Sequence, residues 1–165
     1  MALLRLALIG SIAAVGACGQ AGAQPTAPPV APSGITTPTG WAELPELAKT
    51  VRDATKADGV TVEGVEAWGE TARGCYAVWF ALAGSGANAD AVIAGLAAEK
   101  LATSNVVKPE SGDGVTAVTF ANPRYTGRLR VRTQGGKLTA LACFANRREP
   151  MTCEAPCTSL LGAIP

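Results

Sequence analysis

The amino terminus carries a segment built for export, and this segment limits where the remaining chain can fold. Residues 1–5 contain one positive charge, at Arg5, and residues 6–17 form an uncharged, mostly apolar run. This pattern is typical of a secretory signal peptide, because the run is shorter than the roughly 20 apolar residues of a membrane-spanning helix. The rest of the chain is therefore expected to fold in an oxidising compartment, where disulfides form.

Small residues lead up to Cys18 at the end of the apolar run. Residues 15–18, Val-Gly-Ala-Cys, resemble the lipobox of bacterial lipoproteins, in which a small residue precedes the modified cysteine. The resemblance implies that residues 1–17 are a signal peptide. It also implies that Cys18 is diacylated, for example with palmitate, and becomes the mature N-terminus. Valine stands where leucine is most usual, and residues 15–17 or 21–23 would also suit an ordinary signal peptidase, which would leave a secreted protein.

An uncharged spacer follows Cys18. Residues 19–40 contain five of the eleven prolines and four glycines, so residues 18–40 are predicted to be a lipidated cysteine with an extended tether rich in Pro, Ala, Gly and Thr. At about 3 Å per residue this tether could reach roughly 65 Å. Gly19 stands where many lipoproteins of the inner membrane have aspartate. The resemblance therefore implies the outer membrane, at its periplasmic face or the cell surface, if the host has one.

The remaining residues, 41–165, have the size of one globular domain and contain four cysteines. These are Cys75, Cys143, Cys153 and Cys157. An even number in an exported domain predicts two disulfides, and of the three possible connectivities we favour Cys153 with Cys157 and Cys75 with Cys143. A zinc site is the alternative, but the pair at 153 and 157 has no matching second pair. We therefore expect no metal ion and no cofactor.

Hydrophobic periodicity predicts the element order αββαββββ, followed by a cysteine-bearing tail. The predicted helices cover 43–57 and 89–102, and the predicted strands cover 60–68, 73–82, 105–108, 115–120, 125–133 and 137–144. Gly64 indicates a bulge, Asn88 indicates a helix cap, and the second strand should be central because it is apolar on both faces. The predicted fold is a single small α+β domain. Its mainly antiparallel sheet of five or six strands is packed by two helices, with the C-terminal tail stapled by disulfides.

Charge and residue types argue against several classes of function. The domain has equal numbers of acidic and basic side chains, which does not favour nucleic acid, although residues 114–165 hold 7 basic and 2 acidic ones. The chain has no histidine, the most common general base and a frequent metal ligand. Glu63, Glu66 and Glu70 could supply the paired carboxylates of a glycan hydrolase, but their ordinary role is the solvent side of an outer strand. Residues 84–89 fit Gly-x-Gly-x-x-Ala, but no parallel βαβ unit follows, which favours a linker with a helix cap.

A row of arginines is the best candidate for a binding surface. Arg128, Arg130 and Arg132 occupy alternate positions of one predicted strand, so their side chains should project from one face of the sheet. Arg124 and Lys137 lie near the two ends of that strand. We expect this face to be the exposed outer face of the sheet, where such a row can bind carboxylates or phosphates. The alternative is a solvated sheet face that the acidic half of the domain neutralises, or an edge strand charged against aggregation.

These features predict a non-enzymatic lipoprotein of the cell envelope. Its domain would bind another envelope component, a protein or the cell wall, or assist an assembly, and the lipid anchor would bring it to a membrane. The alternative is a soluble periplasmic or secreted binder or inhibitor that uses the arginine row for an anionic ligand. A hydrolase of cell-wall glycans that uses only carboxylates is less favoured.

The first prediction concerns the mature N-terminus. We expect mass spectrometry of the protein isolated from its native envelope to show a diacylated cysteine at position 18, because small residues and an apolar run precede it. An unmodified N-terminus at Gln24 would instead indicate cleavage by an ordinary signal peptidase and plain secretion.

Overall fold

The computed structural model describes residues 33–56, 59–110, 114–148 and 150–164, so the predicted signal peptide and Cys18 lie outside the described residues. The strands are β1 (Ala42–Glu43), β2 (Thr61–Glu70), β3 (Cys75–Ala83), β4 (Ala102–Val107), β5 (Gly114–Ala121), β6 (Tyr125–Gln134) and β7 (Lys137–Asn146). The α-helices are α1 (Pro45–Ala54), α2 (Ala89–Ala98) and α3 (Glu154–Gly162), and 3₁₀ turns lie at Thr71–Arg73 and Pro150–Cys153. The predicted order αββαββββ is present, with a short strand before it and a helix after it.

The strands form one antiparallel sheet in the order β1-β2-β3-β7-β6-β5-β4. The predicted α+β class and antiparallel sheet are confirmed, but the described residues form seven strands and three α-helices, compared with the predicted five or six strands and two helices. Periodicity could not reveal β1, which is two residues long and is defined by its pairing with β2. The helix α3 was also missed: its buried residues Cys157, Leu160 and Leu161 have the spacing of a helix face, but most of its other residues are small and weakly polar, so the contrast over nine residues is slight. The bulge predicted at Gly64 is present as a register shift after Val62.

The first face of the sheet carries the larger core, under α1 and α2. Asn88 caps α2 as predicted, because its Oδ1 accepts a hydrogen bond of 2.8 Å from the backbone N–H of Ala91. Val92 and Leu96 of α2 are buried in the same cluster as Leu129 and Val131 of β6. The side chains of β6 that alternate with the arginines therefore belong to this core.

An aromatic cluster stabilises one end of this core. Tyr76 stacks on Phe144 with ring centroids 5.4 Å apart, and Tyr125 meets both rings edge-on. Burial raises the pKa of Tyr76, with a smaller contribution from Tyr125. The rings of this end pack closely against the backbone of Gly127. A Cβ atom at this position would lie 2.6 Å from Cζ of Phe120 and 2.6 Å from Cβ of Phe144. The starts of β3 and β6 and the end of β7 are thus held together.

The second face of the sheet carries a smaller core of tryptophans and disulfides. Trp41, Trp68 and Trp79 are buried there, together with all four cysteines of the domain. Trp79 and its neighbour Phe80 point to opposite faces of β3, which is central and buried on both sides as predicted. The tryptophans are therefore packing residues of this core.

Two disulfides join the C-terminal segment to the two central strands. Cys75 of β3 bonds Cys153, and Cys143 of β7 bonds Cys157 of α3. The two predicted disulfides are present, but the favoured connectivity was wrong. Cys75 lies opposite Ala145 in the register, so Cys75 and Cys143 are offset by two residues on neighbouring strands, too far apart to bond without distortion. These disulfides indicate that the domain folds in an oxidising, exported environment.

The end of the predicted tether belongs to the domain. The backbone N–H and the hydroxyl of Ser33 donate hydrogen bonds of 2.7 and 2.5 Å to the carboxylate of Glu66 on β2. Ile35 packs against the tryptophan core, and Trp41 is buried in it. The described part of the tether, 33–40, therefore lies against the second face, and any free spacer ends before Ser33.

The second prediction distinguishes the two disulfides by stability. Cys75 and Cys153 are 78 residues apart, and Cys143 and Cys157 are 14 apart. Loop-closure entropy gives about 4.5 kcal/mol for the longer loop and about 3 kcal/mol for the shorter one. Replacing Cys75 and Cys153 with alanine should lower the free energy of unfolding by about 1.5 kcal/mol more than replacing Cys143 and Cys157, as measured by denaturant titration without reductant.

Peptide mapping without reduction gives an independent check of the connectivity. Peptides that join Cys75 to Cys153 are expected. Recovery of a peptide that joins Cys153 to Cys157, or four reactive thiols in the denatured exported protein, would contradict the structure.

Candidate functional site

Helix α3 covers only part of the second face. It packs on β7 through Cys157, Leu160 and Leu161 and leaves β6 and β5 beside it. A groove results, with α3 as one wall and the two strands as its floor. We call it the α3 groove.

Two adjoining hollows make up the α3 groove, with volumes of about 430 and 390 Å³. Arg128 and Thr119 line both hollows. Glu154 lies at one end of the groove, and Thr158 lines the second hollow. The floor on β5 is low because Ala117 and Thr119 have short side chains. The groove is therefore a shallow trough with one long cationic side chain between its two halves.

The arginine row lies on the second face of the sheet, as its spacing predicts. In the register of β6 and β7, Arg128, Arg130 and Arg132 stand opposite Cys143, Leu141 and Thr139, of which Cys143 and Leu141 belong to the tryptophan core. Arg128 and Arg130 line the α3 groove, and Arg132 continues the row towards the β6–β7 turn.

Two of these arginines hold α3 in place. Arg128 Nη2 donates to Glu154 Oε1 at 2.9 Å and to Thr158 Oγ1 at 3.1 Å. Arg130 Nη1 donates to the carbonyl oxygen of Leu161 at 2.9 Å, near the negative end of the helix dipole. The expectation of a freely exposed outer face is thus corrected, because α3 lies beside the row and both side chains are half-buried.

Arg128 and Arg130 keep a capacity for anions in addition to this role. A guanidinium has five N–H donors, and the hydrogen bonds to α3 described above use one terminal nitrogen of each side chain. The side chain of Arg128 is 41% exposed and faces both hollows. A carboxylate or phosphate in the trough would therefore meet guanidinium donors and the hydroxyls of Thr119 and Thr158.

Sequence patterns could not identify the two threonines. Thr119 comes from β5 and Thr158 from α3, and no spacing in the chain relates them. Only the packing of α3 beside β5 and β6 brings their hydroxyl groups to the same groove as Arg128.

The other predicted binding residues lie outside the α3 groove. Arg124 is exposed in the turn before β6, where its carbonyl oxygen accepts a hydrogen bond of 2.8 Å from the backbone N–H of Arg147. Lys137 begins β7 and pairs with Glu63, with a distance of 3.2 Å between Nζ and Oε1. The structure therefore brings together Arg128 and Arg130 of the candidate residues and separates Arg124 and Lys137 from them.

The three glutamates considered for glycan hydrolysis have separate partners. Glu63 pairs with Lys137, Glu66 accepts hydrogen bonds from Ser33, and Glu70 pairs with Arg73 at 3.2 Å. A retaining or inverting hydrolase needs two carboxylates that face one scissile bond. These contacts do not favour that arrangement.

The described residues contain neither a metal-binding cluster nor a membrane-spanning helix. In the part of the chain that the structure describes, no group of three or more His, Cys, Asp or Glu residues could hold a metal ion. No described helix has the length and apolar character needed to cross a membrane. Comparisons with protein-family models, curated proteins and solved structures find no match. The function must therefore be inferred from the chemistry of the site itself.

The third prediction tests how the arginines hold α3. Arg130→Gln should lower the free energy of unfolding by about 1–2 kcal/mol, because it removes a charge-assisted hydrogen bond to a partly buried carbonyl. Arg128→Gln should cost less than about 1 kcal/mol, because its ion pair is exposed. Denaturant titration measures both, with the exposed Lys49→Gln as control. Equal losses for all three variants would show that the arginines do not hold the helix.

Proposed function

We propose that the protein is an exported lipoprotein whose domain is a binding or assembly module. The lipid on Cys18 tethers it to an envelope membrane, and the α3 groove receives an anionic segment of an envelope partner. The observation that carries this proposal is the pair Arg128 and Arg130, which line a trough next to a disulfide-held helix.

The sequence supports the proposed membrane anchor. Both the sequence and the structure support export. The lipobox-like residues 15–18 and the spacer after them suit a tethered domain. The two disulfides agree with an oxidising compartment outside the cytosol. The tether joins the domain at Ser33, which is hydrogen-bonded to Glu66 of β2. Three strands separate β2 from β5, so a tethered domain would keep the α3 groove accessible.

The support for an anionic occupant comes from the α3 groove. Its small floor residues, Ala117 and Thr119, admit a chain segment rather than a bulky compact ligand. Half-buried guanidiniums bind carboxylates more strongly than fully solvated ones, because they are less screened by water. An acidic peptide segment or an acidic cell-wall group fits this combination.

A soluble binder or inhibitor of an anionic ligand is the second candidate. Residues 21–23, Ala-Gly-Ala, favour it because they suit an ordinary signal peptidase. Membrane fractionation after palmitate labelling distinguishes the two candidates, since only the lipoprotein carries the label in the membrane fraction.

The fourth prediction tests the α3 groove with poly-L-glutamate as the probe. In the mature chain, residues 18–165, with Cys18→Ser, backbone NMR shifts on titration should cluster at Thr119, Arg128, Arg130 and Thr158. Replacing Arg128, Arg130 and Arg132 with glutamine should weaken binding at least about tenfold, and salt should weaken the wild-type interaction.

Three further variants distinguish the effect of the groove from that of net charge. Replacing Lys49, Lys56 and Lys108 with glutamine removes three charges elsewhere and should leave binding within about threefold. Ala117→Phe fills the floor without changing charge and should weaken binding, whereas Ala94→Phe on the exposed side of α2 should not. Unchanged binding by the folded arginine variant, or by Ala117→Phe if the arginine variant unfolds, would contradict the proposal.

A further inference from the structure

One end of the sheet carries a second group of arginines, separate from the α3 groove. We call it the arginine end: Arg73 in the β2–β3 turn, Arg124 in the β5–β6 turn, and Arg147 and Arg148 after β7. These turns are neighbours because β3, β7 and β6 are adjacent in the sheet. All four arginine residues are exposed.

Backbone hydrogen bonds fix the turns of the arginine end relative to one another. The N–H of Arg147 donates to the carbonyl of Arg124 at 2.8 Å, and its Nη1 donates to the carbonyl of Asn122 at 3.3 Å. The N–H of Asn146 donates to the carbonyl of Gly74 at 2.9 Å. The aromatic cluster of Tyr76, Tyr125 and Phe144 lies behind these turns. The backbone of the turns that carry these arginines is thus held in place by hydrogen bonds and by aromatic packing.

The arginine end has an excess of positive charge. Among the described residues of its three turns, 70–74, 122–124 and 146–148, the acidic residue is Glu70, which pairs with Arg73. Glu149 follows in the sequence and lies outside the described residues. Even when both carboxylates are counted, the cations are in excess, which favours a surface of negative charge.

An exposed apolar side chain lies next to these cations. Met151 is 80% exposed, the most exposed of the large hydrophobic residues described. It belongs to the 3₁₀ turn Pro150–Cys153, and the disulfide between Cys153 and Cys75 holds that turn to the start of β3. Met151 comes three residues after Arg148, and cations with a protruding apolar side chain close to them in the chain suit a lipid interface, where headgroup phosphates meet the acyl chains.

We propose that the arginine end docks on the anionic phospholipid surface of the membrane to which the chain is tethered. The inference rests on the proposed lipid anchor only for its location in the cell. Residues 19–32 could span about 45 Å when extended, enough for the domain to turn towards the bilayer. The phosphates would meet Arg124, Arg147 and Arg148, and Met151 would enter the headgroup region. Docking in this way orients the domain. The first hollow of the α3 groove borders the docked turn, since Pro150 and Cys153 line it, whereas the second hollow lies farther along β5 and β6.

The fifth prediction uses vesicle co-sedimentation of the mature chain, residues 18–165, with Cys18→Ser, because the apolar run of residues 6–17 would itself bind vesicles. The wild-type sequence should bind vesicles of equal parts phosphatidylglycerol and phosphatidylcholine more tightly than pure phosphatidylcholine vesicles, and high salt should abolish the difference. Replacing Arg124, Arg147 and Arg148 with glutamine should weaken binding to the anionic vesicles by roughly fivefold per arginine, on the order of a hundredfold in total. Met151→Ser should weaken it less than the triple replacement.

The control is the variant with Lys49, Lys56 and Lys108 replaced by glutamine, which loses the same charge at exposed sites away from the arginine end. It should retain binding within about threefold. If the arginine variant does not fold, the double variant Arg124→Gln, Arg148→Gln keeps the hydrogen bond of Arg147 to Asn122 and should still lose more than about tenfold.

The inference would be overturned if the wild-type sequence showed no preference for anionic vesicles, if the two triple variants lost binding equally, or if the arginine variant bound like the wild type. Competition by free inorganic phosphate at equal ionic strength that removes vesicle binding would also overturn it, because the site would then recognise a single phosphate group. Mass spectrometry of Cys18 tests the lipid anchor separately, so failure of the anchor and failure of this docking surface are distinguishable.

Discussion

The two disulfides between the central strands and the C-terminal segment are the constraint on which the second face of the sheet depends. Helix α3 has nine residues, and helices shorter than about 12 residues are marginal in water without tertiary support. Cys75 and Cys143 lie on β3 and β7, the middle of the sheet, and hold the segment from Cys153 to Cys157 across both strands. The wall of the α3 groove, the tryptophan core and the turn that presents Met151 all depend on these bonds.

In the proposed function, the arginine row would serve structure and recognition with the same side chains. Arg128 and Arg130 donate to α3, and this contact orients their guanidiniums along the groove. Guanidiniums that are held in place lose less side-chain entropy when an anion binds than free ones would. The cost is that removal of Arg130 also weakens the attachment of the helix. A substitution in the row would therefore change both anion binding and the stability of the domain. The disulfides would still hold α3 to the sheet if its hydrogen bond to Arg130 were lost.

The two proposed contact surfaces have a consistent arrangement around the sheet. The chain enters the domain at Ser33 against β2, the arginine end lies at the turns around β3, β7 and β6, and the α3 groove lies over β6 and β5. A domain that rests on a membrane through its arginine end would present the groove at its side. The tether would then limit how far the domain can move from the membrane, while the cationic turns would set the orientation of the domain. A spacer alone cannot set orientation.

The sequence by itself determined the local elements, because hydrophobic period, caps and turns act over a few residues. The burial of β3 on both faces, the cap at Asn88 and the alternation of Arg128, Arg130 and Arg132 with core residues were all predictable in this way. It could not determine which cysteines bond, or that Arg130 would reach the carbonyl of Leu161. Those depend on where α3 crosses the sheet, and the spacing of Cys157, Leu160 and Leu161 indicates which side of α3 is buried but not which strand it packs against. Only the tertiary structure, by placing α3 over β7, made a groove between this helix and the strands β6 and β5. It thereby brought together two threonines that are far apart in the chain.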